Sequence, residues 1–462
     1  MFVNLAQFGK KENPKEMGVL SYKLPIKSFT PFETRRLKNT ELVWVNQSLL
    51  KEYGFNDGTE EIEKRLLDKY SYVSKDYANK SRIISGDCKL FWADRYGSKH
   101  EVCNGGSARC GFDGHFQVKG IGLTPLLAQN ISKSHSHGKL FLDEAILEAV
   151  WGEICHKNLP FGAIRTLAII KTNVNEEFSY LKDKPQKPCA LAIREFAVRP
   201  AHFERATFFW PSKEYMTLRD NDALRVRESI KSLPNILDKS NNEKYASKKK
   251  LKDCVFFIIK RIAKQVAYSR VKGIPHGSLT SSNISIDGKF LDFGTITAVP
   301  DFGNYVLADG VGAIWDDHLL IGNWLKNLMV TINKYSEFDE VFSIFDINNL
   351  IQKFFNEIDM QENIAILNEL DVKEVNNVNV SLSKEIKNEL LSHNRQTLGD
   401  FQTNLFKEKI ASLAVLKGLR IGQPKFLLRD FKYSSFYILN DESLIKGKYS
   451  KKSITNLINK YC

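Results

Sequence analysis

The sequence lacks the features that mark membrane-spanning, zinc-binding and disulfide-rich proteins. Its seven cysteines are an odd number without a C-x-x-C pair. We therefore expect neither a structural zinc site nor a disulfide framework, and a reducing cytoplasm fits best. No run of 18 apolar residues occurs. The best candidate for one, residues 255–271, is interrupted by Lys and Arg, so this segment predicts a buried helix. We therefore expect no membrane partner. The first 18 residues lack the pattern of a signal peptide.

The charge is unbalanced towards positive. There are 67 basic and 54 acidic residues, which gives a formal net charge of +13. This excess favours an anionic partner such as nucleotide phosphate, nucleic acid or an acidic protein surface. Acids are mixed among the bases, and no aromatic–basic recognition motif occurs, so we expect no nucleic-acid partner.

The chain of 462 residues is long enough for one large core or two lobes. In its first half, periodicity predicts a turn at Thr30-Pro31, then a helix through Leu42, Val45, Leu49 and Leu50. It further predicts a strand at 116–119, a helix at 142–156, strands at 164–171 and 190–198, and a loop at 173–188 between those two strands. After residue 301 the pattern is mostly helical, with helices at 312–332, 341–355 and 401–419.

A short hairpin separates the two halves. Asp287-Gly288 is a favoured two-residue turn, and it would place Asn283 directly opposite Asp292, with Cβ atoms about 5 Å apart. An amide oxygen and a carboxylate at that separation can share a magnesium ion, which needs few protein ligands because phosphates and water complete its shell. An ordinary structural hairpin is the alternative interpretation.

Protein kinases use the same pair of residues, an Asn at the end of the catalytic loop and the Asp of D-F-G. His276 precedes Asn283 by the seven residues that separate His and Asn in H-R-D-x-x-x-x-N. The order of elements agrees with this comparison. We therefore predict an α+β, protein-kinase-like bilobal fold with a sheet-rich N-lobe (1–205), a helical C-lobe (206–462) and a nucleotide cleft between them.

The segment GIPHGSLTSSNISI at 273–286, followed by DFG at 292–294, resembles the SelO protein adenylyltransferases, whose pattern is G-[FIV]-x-H-G-x-x-N-T-D-N-M-S-I followed by D-Y-G. Further stretches are similar in the same order: QVKGIGLTP at 117–125, RPAHFE at 199–204 and QPKFLLR at 423–429. The resemblance covers roughly residues 20–330 and this late patch.

The resemblance implies roles for individual residues. Lys119 matches the phosphate-binding lysine, Glu148 its helix partner, and Arg194 and Arg199 two arginines that grip the phosphates. Asn283 and Asp292 match the metal ligands for Mg²⁺ or Mn²⁺, and Asp292 also belongs to the ATP site. Further ATP-binding candidates correspond to two glycine-rich G-D-G-R motifs: Gly105, Gly106, Arg109 and Gly138. Ordinary structural roles, in salt bridges or turns, are the alternative for each.

The catalytic loop departs from the family pattern. The family places its presumed base immediately before the metal-binding Asn, and that residue here is Ser282, which cannot act as a carboxylate base. General-base help is typically worth about 10²–10⁴-fold, so activity could be reduced without being abolished.

The resemblance implies a nucleotidyltransferase that moves AMP from ATP to Ser, Thr or Tyr hydroxyls of a protein or peptide. The alternatives are a catalytically impaired, nucleotide-binding scaffold or partner subunit in a peptide- or protein-modifying complex, and a different phosphotransferase on the same fold.

Overall fold

The structure, a computed structural model, describes residues 24–55, 59–98, 103–129, 131, 136–178, 182–237, 247–299, 301, 316–391, 403–424, 426 and 431–462. None of the helices formed by these residues is both long and apolar enough to cross a membrane.

The first half of the described chain forms an antiparallel sheet of nine strands. Its order is β2-β8-β9-β6-β5-β4-β1-β3, with β7 paired to β9. The strands are β1 Phe29–Leu37, β2 Glu41–Val45, β3 Tyr72–Ser74, β4 Ile83–Asp94, β5 Cys110–Phe112, β6 Phe116–Lys119, β7 Leu140–Phe141, β8 Thr166–Glu177 and β9 Gln186–Glu195.

The centre of this sheet is covered on both faces. Alternate residues of a strand point to opposite faces, and in β9 the side chains of Ala190 and Ala192 enter one apolar cluster while Leu191 and Ile193 enter another. A strand buried on both faces reads as a continuous apolar run, which is how residues 189–193 read in the sequence.

Helices dominate the second half of the described chain. The described α-helices of both halves, in chain order, are α1 Gln47–Glu52, α2 Thr59–Tyr70, α3 Leu142–Asn158, α4 Met216–Asp220, α5 Asp222–Leu237, α6 Lys248–Lys272, α7 Asp317–Tyr335, α8 Ile344–Glu369, α9 Asn377–Leu391, α10 Thr403–Leu416, α11 Ser435–Leu439, α12 Glu442–Lys446 and α13 Lys451–Tyr461. Helices α3, α5, α6 and α7 share one apolar cluster, and α8–α10 form a smaller one.

Several predicted elements are confirmed. The strand at 116–119 and the helix starting at Leu142 are present, and the strands near 164–171 and 190–198 exist with shifted ends. The loop between those two strands is shorter than predicted, because β8 continues to Glu177 and β9 begins at Gln186. The helices near 312, 341 and 401 are present within the described residues, whereas α9 was not predicted.

The prediction for residues 30–50 is wrong. Thr30 and Pro31 lie in strand β1, and Leu42 and Val45 lie in strand β2. Proline is tolerated at residue 31 because β3 pairs only with residues 34–36, so the other edge of β1 is free of a described partner strand there. Only the later part of the predicted helix exists, as α1, which begins where the side chain of Asn46 accepts a hydrogen bond from the Leu49 amide.

The predicted register of the central hairpin is also wrong, by one residue. The amide of Leu291, not that of Asp292, donates to the Asn283 carbonyl, at 3.2 Å. The turn contains three residues and ends at Gly288, whose φ is +90°, the usual geometry of a three-residue hairpin loop. Ser285 accounts for the third residue of the turn. Its hydroxyl accepts a hydrogen bond from the Lys289 amide at 2.8 Å, and its carbonyl accepts one from the Gly288 amide at 3.0 Å.

Parts of some predictions lie outside the described residues. They are the first 18 residues, the start of the helix near residue 312, residues 401–402 and most of the stretch at 423–429.

Candidate functional site

Lys119 and Glu148 form a buried ion pair between the sheet and helix α3. Lys119 is the last residue of β6, where it pairs with Ala192 of β9. Its ammonium nitrogen lies 2.8 Å from Glu148 Oε1, and both side chains are 6% exposed. A charge this deep requires a partner, so the strand end and the helix hold each other's charged groups in place.

Asp292 connects this pair to two arginines. Its Oδ1 lies 2.5 Å from Lys119 Nζ and 3.0 Å from Arg194 Nη1, and its Oδ2 lies 3.4 Å from Arg199 Nη1. Burial alone would raise the pKa of this carboxyl, but the attraction of the three cations holds it well below its usual value. The backbone of Asp292 is left-handed, with φ +63°, an uncommon conformation that tertiary contacts must maintain.

Arg194 and Arg199 are almost completely buried. Both Nε and Nη2 of Arg194 donate to Gln117 Oε1, at 3.0 and 2.8 Å. Arg199 donates from Nη1 to the Ser282 carbonyl at 2.9 Å, and its guanidinium lies 4.9 Å from the centre of the Tyr96 ring. These contacts fix the orientation of two planar cations, which suits the binding of phosphate oxygens.

A further layer of polar residues supports the arginines. Gln117 Nε2 donates to Asp94 Oδ1 at 2.8 Å, and Asp94 Oδ2 lies 3.3 Å from His202 Nε2. The other nitrogen of His202 accepts from the Arg199 amide at 2.9 Å. Burial lowers the pKa of His202. Although burial opposes it, the contact with His202 and the charge of Arg199 lower the pKa of Asp94.

Asp317 anchors the loop that precedes the hairpin. Its two carboxylate oxygens accept from the amides of Gly277 and Leu279, at 2.7 and 2.8 Å. His276 Nε2 lies 2.9 Å from the Leu291 carbonyl, and because a carbonyl can only accept, this nitrogen carries the proton. The loop is therefore attached both to helix α7 and to the hairpin.

Ser282 and Asn283 lie at the end of this loop. The Ser282 hydroxyl contacts Thr280 Oγ1 at 3.0 Å and Asn283 Oδ1 at 3.4 Å. Asn283 Nδ2 donates to the Ser278 carbonyl at 2.9 Å, so the amide oxygen faces away from that carbonyl and can accept. The Arg199 contact to the Ser282 carbonyl brings this end of the loop beside Asp292.

The predicted phosphate-binding glycines at 105 and 106 are packed inside the fold. A Cβ on Gly105 would lie 2.5 Å from the Phe209 ring, and one on Gly106 would lie 2.2 Å from the Asp94 carbonyl oxygen. The Gly105 amide donates to the Leu126 carbonyl at 2.9 Å. Close packing therefore accounts for both glycines, and their role towards phosphate stays a prediction.

Gly138 and Arg109 lie at the edge of the cluster. Gly138 accepts from the Gly122 amide at 3.0 Å with φ +71°, and the close approach of the two backbones excludes a side chain. Arg109 donates to the Lys139 carbonyl at 3.0 Å and lies 3.4 Å from Glu144. Burial alone would lower the pKa of Arg109, but nearby acidic groups, Glu144 first, raise it.

The structure thus brings together Lys119, Glu148, Arg194, Arg199 and Asp292, and places the 282–283 backbone beside them. Sequence reasoning assigned no role to Asp317, Asp94 or Tyr96. It quoted Gln117, His202 and Glu204 only as parts of motifs. Glu204 binds the loop, since its Oε2 accepts from the Ser281 hydroxyl at 2.8 Å. The short motif RPAHFE could have indicated these supporting contacts.

The cluster places three cations and two carboxylates where a sheet, a helix and a D-F-G hairpin meet, and it includes a lysine–glutamate pair and a D-F-G aspartate, which protein kinases also have. The family model described as protein adenylyltransferase SelO matches residues 23–310, more than half of the chain. The chain therefore belongs to the SelO family, which confirms the resemblance seen in the sequence.

A curated relative extends this comparison. The chain is similar to a protein nucleotidyltransferase YdiU of Trichodesmium erythraeum, with 28% identity over 194 residues. The alignment spans 40% of this chain and 37% of the relative.

Proposed function

We propose that this protein binds ATP and transfers AMP to a Ser, Thr or Tyr hydroxyl of a protein or peptide. The observation that carries this proposal is the contact of one carboxylate, Asp292, with Lys119, Arg194 and Arg199 inside a D-F-G motif. Membership of a family described as protein adenylyltransferases supports the direction of the chemistry.

The proposed site presents buried cations of the type that binds phosphate oxygens. Lys119, Arg194 and Arg199 outnumber Glu148 and Asp292, so the cluster carries one excess positive charge without ligand. Transfer of a phosphorus group depends mainly on positioning and on stabilising negative charge, and preorganised buried cations supply both. Arg109, which lies near enough for its pKa to respond to Asp292, would add charge at the edge.

We infer a bilobal arrangement, with residues 1–205 as a sheet-rich lobe, residues 206–462 as a helical lobe and the nucleotide in the cleft between them. All nine described strands end by Glu195, and most described helices follow residue 215. The cluster joins β6, β9 and α3 to the hairpin that follows α6, so it lies where the two parts of the chain meet.

Asn283 and Asp292 would hold the divalent cation, Mg²⁺ or Mn²⁺. The residues fit this role because the Asn283 amide nitrogen donates to the Ser278 carbonyl, and the amide oxygen, which the Ser282 hydroxyl contacts at 3.4 Å, keeps a second lone pair for a hard cation. Among the described residues there is no cluster of three or more His, Cys, Asp or Glu that could hold a metal, so nucleotide phosphates and water would complete the coordination. The cation would neutralise charge on the phosphates.

The second candidate function is a nucleotide-binding scaffold or partner subunit without transfer activity. The observation that favours it is Ser282, whose hydroxyl contacts Thr280 and Asn283 but, among the residues that the structure describes, no carboxylate that could accept a proton. A weakly basic hydroxyl at this position would slow deprotonation of the acceptor by about 10²–10⁴-fold.

Two radiolabels on ATP separate these functions. The protein is incubated with divalent cation and either α-labelled or γ-labelled ATP, together with a mixture of candidate acceptor proteins, and Lys119→Met serves as the inactive control. Retention of the α label shows AMP transfer, whereas retention of the γ label shows a different phosphotransferase. ATP binding without either label on protein identifies the scaffold, and no ATP binding overturns both functions.

A further inference from the structure

Helix α3, which carries Glu148, is buried on more than one side. Val150, Trp151 and Ile154 are at most 1% exposed, and the polar Glu148 and Glu153 are buried as well. A helix that is apolar around its circumference must be covered around its circumference. The sheet covers one part of this helix through β7, β8 and β9, and the C-terminal segment, residues 434–462, covers another.

The C-terminal segment makes three directed contacts with helix α3. Trp151 Nε1 donates to the Ser435 hydroxyl at 2.9 Å. The Cys462 thiol donates to the Val150 carbonyl at 3.5 Å, and the Lys157 ammonium donates to the Cys462 carbonyl. The last helix, α13, adds apolar side chains to the same cluster as Trp151.

Ser435 also contacts the segment that follows D-F-G. Its hydroxyl donates to the Ile296 carbonyl at 2.8 Å, and its amide donates to Thr297 Oγ1 at 3.3 Å. The Ser435 hydroxyl therefore accepts from the glutamate helix and donates to the chain four residues after Asp292. This one hydroxyl therefore joins helix α3, which supplies Glu148 to the Lys119 ion-pair network, to the segment after Asp292, which supplies the other carboxylate.

Helix α3 and the D-F-G segment are joined directly at one further point. The Phe293 amide donates to Glu148 Oε1 at 3.2 Å. Trp151 lies three residues after Glu148, on the same side of the helix. A rotation of the helix that withdraws Glu148 from Lys119 must break the Phe293 contact and the Trp151–Ser435–Ile296 bridge together.

We propose that Ser435 is a positioning residue for the nucleotide site: the C-terminal segment holds helix α3 against the D-F-G segment and so keeps Glu148 paired with Lys119. The inference rests on the proposed function of that site. It assigns a part in nucleotide binding to a segment outside residues 23–310, the part of the chain that the family model matches.

Amide hydrogen exchange tests the positioning role without nucleotide. In Ser435→Ala we expect exchange to rise about fivefold in residues 142–158 and 290–299, the factor expected from one lost hydrogen bond. Exchange in α6 should be unchanged. Ser435→Thr keeps the hydroxyl and should restore protection. Ser443→Ala is the matched control, because Ser443 lies in the same segment and its hydroxyl donates to Asp441, outside the bridge.

A second measurement connects the bridge to ligand binding. Calorimetry should give an ATP dissociation constant that is higher by about threefold or more in Ser435→Ala. The reason is that a smaller fraction of the variant molecules has Glu148 paired with Lys119 before ATP binds. Trp151→Phe, which keeps an aromatic side chain but lacks the N–H donor of the indole, should have the same effect, and the double variant should show no further increase.

The proposal is overturned if exchange in residues 142–158 is the same in Ser435→Ala and Ser443→Ala, or if it rises equally throughout the protein. An unchanged ATP dissociation constant with the predicted exchange pattern also overturns the link to nucleotide binding. If the unaltered protein binds no ATP, the proposed function is wrong, whereas the exchange pattern still decides whether Ser435 holds the helix.

Discussion

Arg199 donates a hydrogen bond from Nη1 to the backbone oxygen of Ser282 at 2.9 Å. Residue 282 is the position that carries a carboxylate in the family pattern. Because Arg199 binds its backbone oxygen, this contact does not depend on which side chain the residue has. The preceding residue, Ser281, is held through its side chain, whose hydroxyl donates to Glu204. The loop therefore keeps a defined place beside Asp292 although its acidic side chain is missing.

This contact leads to a prediction for Ser282→Asp. If the protein is a slow transferase, the new carboxylate should raise AMP transfer by about 10-fold or more and leave the ATP dissociation constant unchanged, because a general base acts in the transition state. Single-turnover transfer from α-labelled ATP measures the rate, and calorimetry measures binding.

Ser282→Asn is the matched control, since it has the same shape without the basic oxygen. Background transfer in both variants would support the scaffold. Strong transfer by the unaltered protein that Ser282→Asp diminishes would contradict the assignment of residue 282 to the base position.

Lys119→Met should abolish the ATP-dependent rise in melting temperature. The variant keeps most of the side-chain volume but removes the point charge that would contact the phosphates, and stabilisation by a ligand disappears when the ligand no longer binds. Lys387→Met provides the control, because it also removes a lysine with two ion-pair partners, the exposed Asp359 and the buried Glu362 of helix α8, far along the chain from the cluster. An equal thermal shift in Lys119→Met and the unaltered protein would place the nucleotide elsewhere.

The low pKa of Asp292 predicts a specific dependence of stability on pH. A carboxyl whose pKa is lower in the folded state stabilises the protein above its unfolded pKa of about 4, and this stabilisation disappears as the pH falls through the folded value. Asp292→Asn should therefore lower the free energy of unfolding by about 3 kcal/mol at pH 7. The difference from the unaltered protein should shrink progressively below pH 4.

Urea unfolding at pH 7, 5, 4 and 3 measures this difference. Asp359→Asn removes an exposed carboxylate that is paired with Lys387 and should change the free energy by less than about 1 kcal/mol. A difference for Asp292→Asn that stays constant down to pH 3 would contradict the inferred direction of the pKa shift.

Asp317→Ala should release the loop from helix α7. The substitution leaves the buried amides of Gly277 and Leu279 without their acceptor, at about 1–3 kcal/mol for each unsatisfied group. Amide exchange should increase in residues 276–283 first, and AMP transfer should fall more than ATP affinity, because Lys119 and the arginines belong to other elements. Unchanged exchange in the loop would show that Asp317 does not hold it.

Local patterns determined much of what the sequence predicted. Residues 116–119 and the helix beginning at Leu142 follow from apolar periodicity, which depends on neighbours a few positions away. The family resemblance lay mainly in GIPHGSLTSSNISI and DFG, because a motif of consecutive residues can be read from the sequence without its partners in the fold. DFG pointed to Asp292, and the wider resemblance pointed to Lys119 and Glu148; the structure brings these three residues together.

The tertiary structure decided what depends on partners distant in the chain. Pro31 fits a strand only because β3 pairs with a later part of β1, and the sequence of residues 29–37 does not contain that information. The hairpin shifted by one residue because the Ser285 hydroxyl competed with the backbone for an amide proton. The convergence of Lys119, Arg194 and Arg199 on Asp292, and the bridge from Trp151 through Ser435, join segments up to 284 residues apart. Such contacts form only when burial has removed water from around the charges and donors, so the folded arrangement of the whole chain selects them.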